Sequence, residues 1–431
     1  MALPPGPSAP AALQTARLLA RPIPFFEACR RRYGETFTAR VVRAGELVFI
    51  SDPPSLKRLF AADRVNTIAP GRNVILKPVM GPRSVLLLED GEHLRRRKLM
   101  LPPFHGERMR AYEAVMETVT EREVATWPED RAFRIHPSMQ AITLEVILRA
   151  VFGIEDDVRR ERVRPNLTAI LGSTQSPAAI GITIPGLRRM GRFGRVARLL
   201  AETDELLAAQ IAERRADSGA EGRDDILSLL VAARFDDGSA MDDREIRDQL
   251  MTLLLAGHET TATALAWAFD LLLHHPEAYE RARREVADGG SDYLDAVGEE
   301  AMRLRPVVPF TGRELRERSE LGGYELDPGT VVMAGIYLAH TRPDLFPRPR
   351  EFRPERFLDG GPETFSWIPF GGGTRRCLGA SFAQFEMRVV LRTVLAQTVL
   401  RAESDRMEQP VRRNVTLSPR GGTGAWLVER L

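Results

Sequence analysis

From Asp242 to His274 the chain runs for 33 residues without a proline, and few folds can house the helix that this predicts. Asp242, Asp243 and Glu245 suit the positive end of a helix dipole, and His275-Pro276 stops the run. At about 1.5 Å per residue the rod spans on the order of 50 Å, enough to cross a whole domain. Leu250 to Leu273 is apolar almost all round. A membrane span is the rival reading, yet His258, Glu259, Thr260 and Thr261 fall in its middle, where charge in lipid is costly. The sequence therefore predicts a helix over 242–274 buried through a protein core, in a mainly α protein with a smaller β region.

The centre of that rod reads Ala256-Gly257-His258-Glu259-Thr260-Thr261. Glycine inside a helix costs about 1 kcal/mol against alanine, so Gly257 needs a reason. It leaves room beside the backbone, and the Thr260 hydroxyl can turn to a carbonyl one turn back. Together they predict a local groove wide enough for a diatomic ligand and a water.

A second stretch concentrates chemistry. Pro369-Phe370-Gly371-Gly372-Gly373-Thr374-Arg375-Arg376-Cys377-Leu378-Gly379-Ala380 sets one of only two cysteines in a glycine-dense loop. Glycines take left-handed turns and let a flat partner approach the backbone closely. A helix starting near Leu378 would point its free N–H groups at the sulfur and favour thiolate.

The spacing Phe370-x-x-Gly373-x-Arg375-x-Cys377-x-Gly379 closely resembles the haem-binding loop of the cytochrome P-450 family, and 256–261 resembles that family's oxygen-activating motif. The resemblance implies a cytochrome P-450 fold with the long helix over haem b. It makes Cys377 the iron ligand, with Ala256, Gly257, Phe370, Gly371, Arg375 and Gly379 against the haem. Thr260 would hydrogen-bond the oxygen undergoing activation, and Glu259 would relay protons. His93 and Arg97, four apart on a predicted helix, share one face; with Arg313 they would hold the haem carboxylates. Glu300 and Arg303, one turn apart, would join Arg356 of Phe352-Arg353-Pro354-Glu355-Arg356-Phe357 in a buried structural network.

Two apolar loops need something to cover: 65–79, and 176–185 between two helices. They supply Ile75 and Ile182 as substrate contacts expected from the resemblance, beside Val85 and Leu86. Leu253 on the rod, Val308 and Pro309 on an extended segment, and Leu417 near the C-terminus complete that set. Elsewhere the pattern predicts a hairpin over Thr36–Val41 and Glu46–Ile50, a helix from Pro53, and two strands around Pro328-Gly329. A helix over Leu378–Gln397 and a terminal hairpin over Asn414–Pro419 with Gly421-Gly422 follow.

Composition sets bounds. No linker or charge block divides the 431 residues, so one domain (1–431) is expected. The net charge of +2 is too balanced to argue for nucleic acid. Cys29 and Cys377 form no metal-finger or redox spacing, which suits a reducing cytoplasm. The N-terminus has no basic leader and no apolar anchor, so no membrane anchor is expected, and the protein is expected to be a monomer.

The resemblance implies a haem-thiolate monooxygenase that hydroxylates a lipophilic substrate: a fatty acid, a terpenoid or a steroid-like molecule. Only about 50 residues follow Cys377, too few for a flavin reductase. Electrons are therefore expected from NAD(P)H through a separate ferredoxin or flavodoxin, with Arg95, Arg96, Lys98 and Arg376 as an exposed basic docking face. Two alternatives stand beside this reading. A peroxide-driven haem enzyme would not need Glu259-Thr260, and a non-catalytic haem-thiolate sensor or electron carrier would need no apolar lid.

Overall fold

The computed structural model describes residues 3–62, 77–104, 106, 108–174, 191–217, 222–358, 360–413 and 415–431. Helices α1 (Ala11–Ala20) and α2 (Pro22–Tyr33) lead into strands β1 (Phe37–Val41) and β2 (Gly45–Ile50), the hairpin that the β-rich runs predicted. Helix α3 (Pro53–Ala61) starts at Asp52, whose carboxylate accepts the Ser55 N–H at 2.9 Å. After α4 (Lys77–Met80) and α5 (Asp90–Met100), the chain is almost entirely helical: α6 (Arg108–Ala111), α7 (Glu113–Val124), α8 (Ile135–Val146), α9 (Asp157–Thr174), α10 (Gly191–Ala216) and α11 (Ile226–Ala232). Among the described residues of this stretch only the two-residue strand β3 (Phe133–Arg134) intervenes, and α8 ends in a π-helical turn, Ile147–Val151.

Next comes the rod, α12 (Asp243–Leu273), with Asp242 as its cap: the side chain accepts the Glu245 N–H at 2.9 Å. It lies in the largest core cluster beside Ile142, Leu144, Ile147, Leu294 and Val390, and Trp267 and Phe269 have no exposed surface. No helix among the described residues is long and apolar enough to cross a membrane. Helices α13 (Pro276–Ala287) and α14 (Asp292–Leu304) follow.

The β region comes next: β4 (Thr311–Glu314), β5 (Ser319–Leu321), β6 (Tyr324–Leu326) and β7 (Val331–Ala334), then the short helix α15 (Ile336–His340). Helix α16 (Ala380–Gln397) leads to β8 (Thr398–Ala402), β9 (Pro410–Arg413), β10 (Thr416–Pro419) and β11 (Gly424–Arg430). The main sheet has the order β1-β2-β7-β4, with β7 parallel to β2 and antiparallel to β4.

Strands β6 and β7 flank Pro328-Gly329 as expected; β6 pairs with β5 across Gly322-Gly323, both at positive φ (59° and 79°), while buried β7 pairs with β2 and β4. Two local expectations are corrected. The C-terminal hairpin is β9–β10, and Gly421-Gly422 instead leads into β11, which pairs with β8 and β3. Helix α16 starts at Ala380 rather than near Leu378, because Gly379 takes the capping position. Helix α1 went unread in the sequence; its Gln14 and Thr15 side chains accept the backbone N–H groups of Arg40 and Val42 at 2.9 Å each.

Candidate active site

Most side chains of α12 from Leu250 onward are buried; apart from Leu255 and the terminal Leu273, the exposed ones fall along a single face. Leu253, Gly257 and Thr260 are partly exposed and Ala256 is exposed, a stripe at i, i+3, i+4 and i+7. A buried helix with an open window at mid-length borders a space to be filled. Thr260 Oγ1 donates to the Ala256 carbonyl at 2.6 Å, the one-turn-back bond expected of it. A Cβ at Gly257 would meet only Ile147 Cδ1 at 3.5 Å, so no neighbouring protein atom demands the glycine.

The cysteine loop presents a second open surface. Gly371 and Gly373 sit at φ 68° and 70°, and a Cβ on Gly372 would lie 2.4 Å from the Phe60 ring. The turn is closed by the Cys377 N–H donating to the Phe370 carbonyl at 2.9 Å, while the Phe370 ring meets Trp367 edge-on at 6.1 Å. Cys377 is exposed, and a Cβ on Gly379 beside it would meet nothing within 4 Å. Although the residue is exposed, the protein packed around its thiol raises the thiol pKa by desolvation. The Gly379 N–H, Arg97 and Arg376 pull the other way without prevailing. The thiolate bias expected from the helix start is therefore outweighed by desolvation in the protein alone. Cys29 is a different case: buried, with its thiol pushed up to about 11 by burial, it is inert.

Four cationic or potentially cationic side chains gather near this loop. His93 is buried on α5, and burial, then Arg375, Arg97 and Arg313, pull its pKa down to about 4. Among the described residues, no carboxylate stands within ion-pair distance of His93 or Arg97. Arg313 donates to the Gly372 carbonyl at 3.2 Å and faces the Phe60 ring at 5.3 Å; Arg375 donates to the Leu88 carbonyl at 2.7 Å. Clustered positive charge of this kind suits a dianionic ligand such as the two carboxylates of haem. The donor set fits the group that the sequence implied.

The basic run next to His93 behaves otherwise. Arg95 pairs with Asp237 at 2.5 Å and stacks over Phe235; Arg96 pairs with Glu92 and Glu245; Lys98 pairs with Asp236 at 2.8 Å. These acids lie far away in sequence or one turn back, so the chain alone did not reveal the neutralisation. Arg95 and Lys98 are exposed as expected and Arg96 is half-buried, but each is paired with an acid, whereas Arg376 is exposed beside the cysteine.

Glu300, Arg303 and Arg356 come together as expected, and the first two have no exposed surface. Arg303 makes a two-pronged bond to Glu300 at 2.6 and 2.8 Å, and Arg356 Nε reaches Glu300 at 3.3 Å. Arg303 also donates to the carbonyls of His340, Pro349 and Glu351 at 2.7, 2.8 and 3.2 Å, while Glu300 accepts the Arg353 N–H at 2.9 Å. One member was missed. His340 Nε2 accepts the Ile368 N–H at 2.8 Å, and Ile368 in turn accepts the Gly371 N–H at 2.9 Å. Nothing in its sequence surroundings, Ala339-His340-Thr341, marks it.

Of the apolar candidates, Val85, Pro309 and Leu417 are buried, Leu253 and Val308 are half-buried, and Leu86 is exposed. The Val85 N–H bonds to Gln249 Oε1 at 2.9 Å and Ser84 Oγ accepts from Thr252 at 2.7 Å, so α12 holds this segment directly. The Leu417 N–H donates to the Val307 carbonyl at 2.7 Å, and its own carbonyl accepts from Trp267 at 2.8 Å. Ile75, Ile182 and the loops around them lie outside the described residues.

A long buried helix with one open stripe, a cysteine loop and a ring of cations together define a haem-thiolate protein. The sequence pattern described as cytochrome P450 matches residues 4–422. A relative named by family alone, cytochrome P450 135B1 of Mycobacterium tuberculosis, is 41% identical over 429 residues, covering 98% of this chain and 90% of its own. Cytochrome P450 137 of the same organism is 41% identical over 399 residues, covering 91% and 83%. Among solved structures, the retinoic acid-bound cyanobacterial CYP120A1 covers 100% of both chains at TM-score 0.85 and 26% identity. The cytochrome P450DA haem domain covers 100% of this chain and 98% of its own at TM-score 0.87 and 23% identity, a likeness of fold alone. This chain belongs to the cytochrome P450 family of haem-thiolate monooxygenases.

Proposed function

We propose that Cys377 ligates the iron of haem b, and that the protein inserts one oxygen atom from O2 into a lipophilic substrate. The observation that carries this reading is the exposure of Cys377 in the glycine loop, with His93, Arg97, Arg313 and Arg375 gathered near it. When bound, the haem supplies the iron centre at which dioxygen is reduced and split. Cys377 would bind the iron as thiolate, since a coordinating thiol is deprotonated. His93, Arg97, Arg313 and Arg375 would hold the haem carboxylates. Ala256 and Gly257 keep the α12 stripe low, and Thr260 offers its hydroxyl there. Glu259, its neighbour, delivers protons.

Val85, Leu253, Val308, Pro309 and Leu417, with Ile75 and Ile182, exclude water and bind the substrate through apolar area rather than polar readout. A fatty acid, a terpenoid or a steroid-like molecule fits that lining. Retinoic acid, an apolar carboxylic acid, occupies the CYP120A1 structure and supports the same class. Electrons come from NAD(P)H through a separate ferredoxin or flavodoxin, and Arg376 is the exposed cation beside the ligand. Two unpaired cysteines suit a cytoplasmic setting. The test is a lipophilic library screened for substrate-induced shifts of the haem absorbance, followed by turnover of the hits with 18O2. Incorporation of one labelled atom per product is expected; turnover products without label would contradict the reading.

A further inference from the structure

Glu259 precedes Thr260 by one residue, yet its carboxylate is engaged with α8 rather than with the open stripe. Glu259 is buried, and its Oε2 accepts from Gln140 Nε2 at 2.6 Å. Its Oε1 accepts from the Thr263 hydroxyl at 3.4 Å, and His136 Nε2 stands 3.2 Å from that hydroxyl and 3.6 Å from Oε1. These three side chains come from two packed helices: His136 and Gln140 are one turn apart on α8, and Thr263 is one turn beyond Glu259 on α12. His136 is held in place by its N–H bond to the Gly422 carbonyl at 3.0 Å.

We infer that His136 and Thr263 form a proton wire that recharges Glu259, with Gln140 fixing the carboxylate. This rests on the reading of Glu259 as the proton donor of the site. With Nε2 protonated, His136 donates to Thr263 Oγ1, and the Thr263 hydroxyl donates to Glu259 Oε1, so every bond points toward the acid. In the step, the Thr263 O–H proton passes to Oε1, the Nε2 proton passes to Oγ1, and Nδ1 takes one proton from solvent hydronium, leaving water. The ring ends in its other neutral tautomer and no electrons move. A neutral ring is what the surroundings enforce. Burial, then Arg413 on β9 and His258 on α12, lower the His136 pKa to about 4, and Glu259 and Thr263 face it from α12. His136, at 1% exposure, therefore transfers protons as an imidazole rather than storing charge.

The test uses the haem-loaded protein with Thr263→Val, which removes one hydroxyl at nearly constant shape, and with His136→Gln, which keeps a donor but cannot pass a proton. The infrared carboxyl band of Glu259, identified by its loss in Glu259→Gln, is titrated in the resting state, and the solvent deuterium isotope effect is measured in turnover. Thr263→Val removes a donor to the carboxylate, so the band midpoint is expected to rise by roughly half a unit to one unit. His136→Gln is expected to leave that midpoint near the wild type while product per electron pair falls about tenfold and the isotope effect grows. Wild-type coupling and isotope effect in both variants would overturn the wire. If Glu259→Gln itself leaves coupling intact, the underlying assignment of the acid fails instead, and that outcome is separately visible.

Discussion

His340 Nε2 accepts the Ile368 N–H at 2.8 Å, and this bond carries the buried Glu300–Arg303 pair to the cysteine loop. The His340 carbonyl takes a guanidinium N–H of Arg303, and its ring holds the irregular segment two residues ahead of Phe370. The imidazole accepts only while neutral; burial, then Arg303, lower its pKa to about 3. His340→Leu leaves the Ile368 N–H unsatisfied, a cost of about 1–3 kcal/mol. The urea midpoint should fall accordingly, and Cys377 in the haem-free protein should alkylate faster. An unchanged midpoint and rate would show that the loop is held by other contacts.

Glu386, on α16, is 2% exposed, and its Oε1 has no hydrogen-bond partner among the described residues. Burial raises its pKa from the ordinary 4.5 to about 8. With the folded value above the unfolded one, stability is fully present below pH 4.5 and is lost as pH rises through about 8. At roughly 1.4 kcal/mol per unit, the loss amounts to several kcal/mol. Glu386→Gln should flatten the profile of denaturation midpoint against pH between 5 and 8, as set by those two values. A variant with the wild-type slope would remove Glu386 from this account.

Arg97 and Arg95 are two residues apart on α5 with different surroundings. Arg97 is half-buried near Cys377, and Arg95 is paired with Asp237 at the surface. Arg97→Leu should speed haem transfer to a scavenging protein by about tenfold or more, as loss of a charge-assisted bond implies. Arg95→Leu should leave the rate unchanged. Equal effects would remove the case for Arg97.

Thr260→Ala removes the one hydroxyl on the open stripe of α12. Substrate-induced spectral shifts should keep their wild-type affinity, while product per reductant falls about tenfold and hydrogen peroxide rises to match. Undiminished coupling would place the proton chemistry elsewhere.

Much of this was legible in the chain because it rests on local pattern. The ends of α12 follow from Asp242 and His275-Pro276, the β1–β2 hairpin from its β-branched runs, and the cysteine loop from its glycines. What escaped is what depends on residues far apart in sequence. The pairing of Arg95 and Lys98 with Asp237 and Asp236 appears only once α5 meets that loop. His340 meets Ile368 across 28 positions, and His136 meets Glu259 only because α8 crosses α12. The partners of Val331–Ala334 were not legible for the same reason: β2 and β4, which flank it, come from elsewhere in the chain. The helix start behind Cys377 is visible in the sequence, whereas the desolvation that raises its thiol pKa in the protein alone is not.

The central claim is that Cys377 ligates the haem iron, and the absorbance of the reduced protein under carbon monoxide tests it most directly. The wild type should show the long-wavelength band of thiolate-ligated haem, and Cys377→Ser, with haem still bound, should lose it. Retention of that band in Cys377→Ser, or its absence from the wild type, would contradict the account.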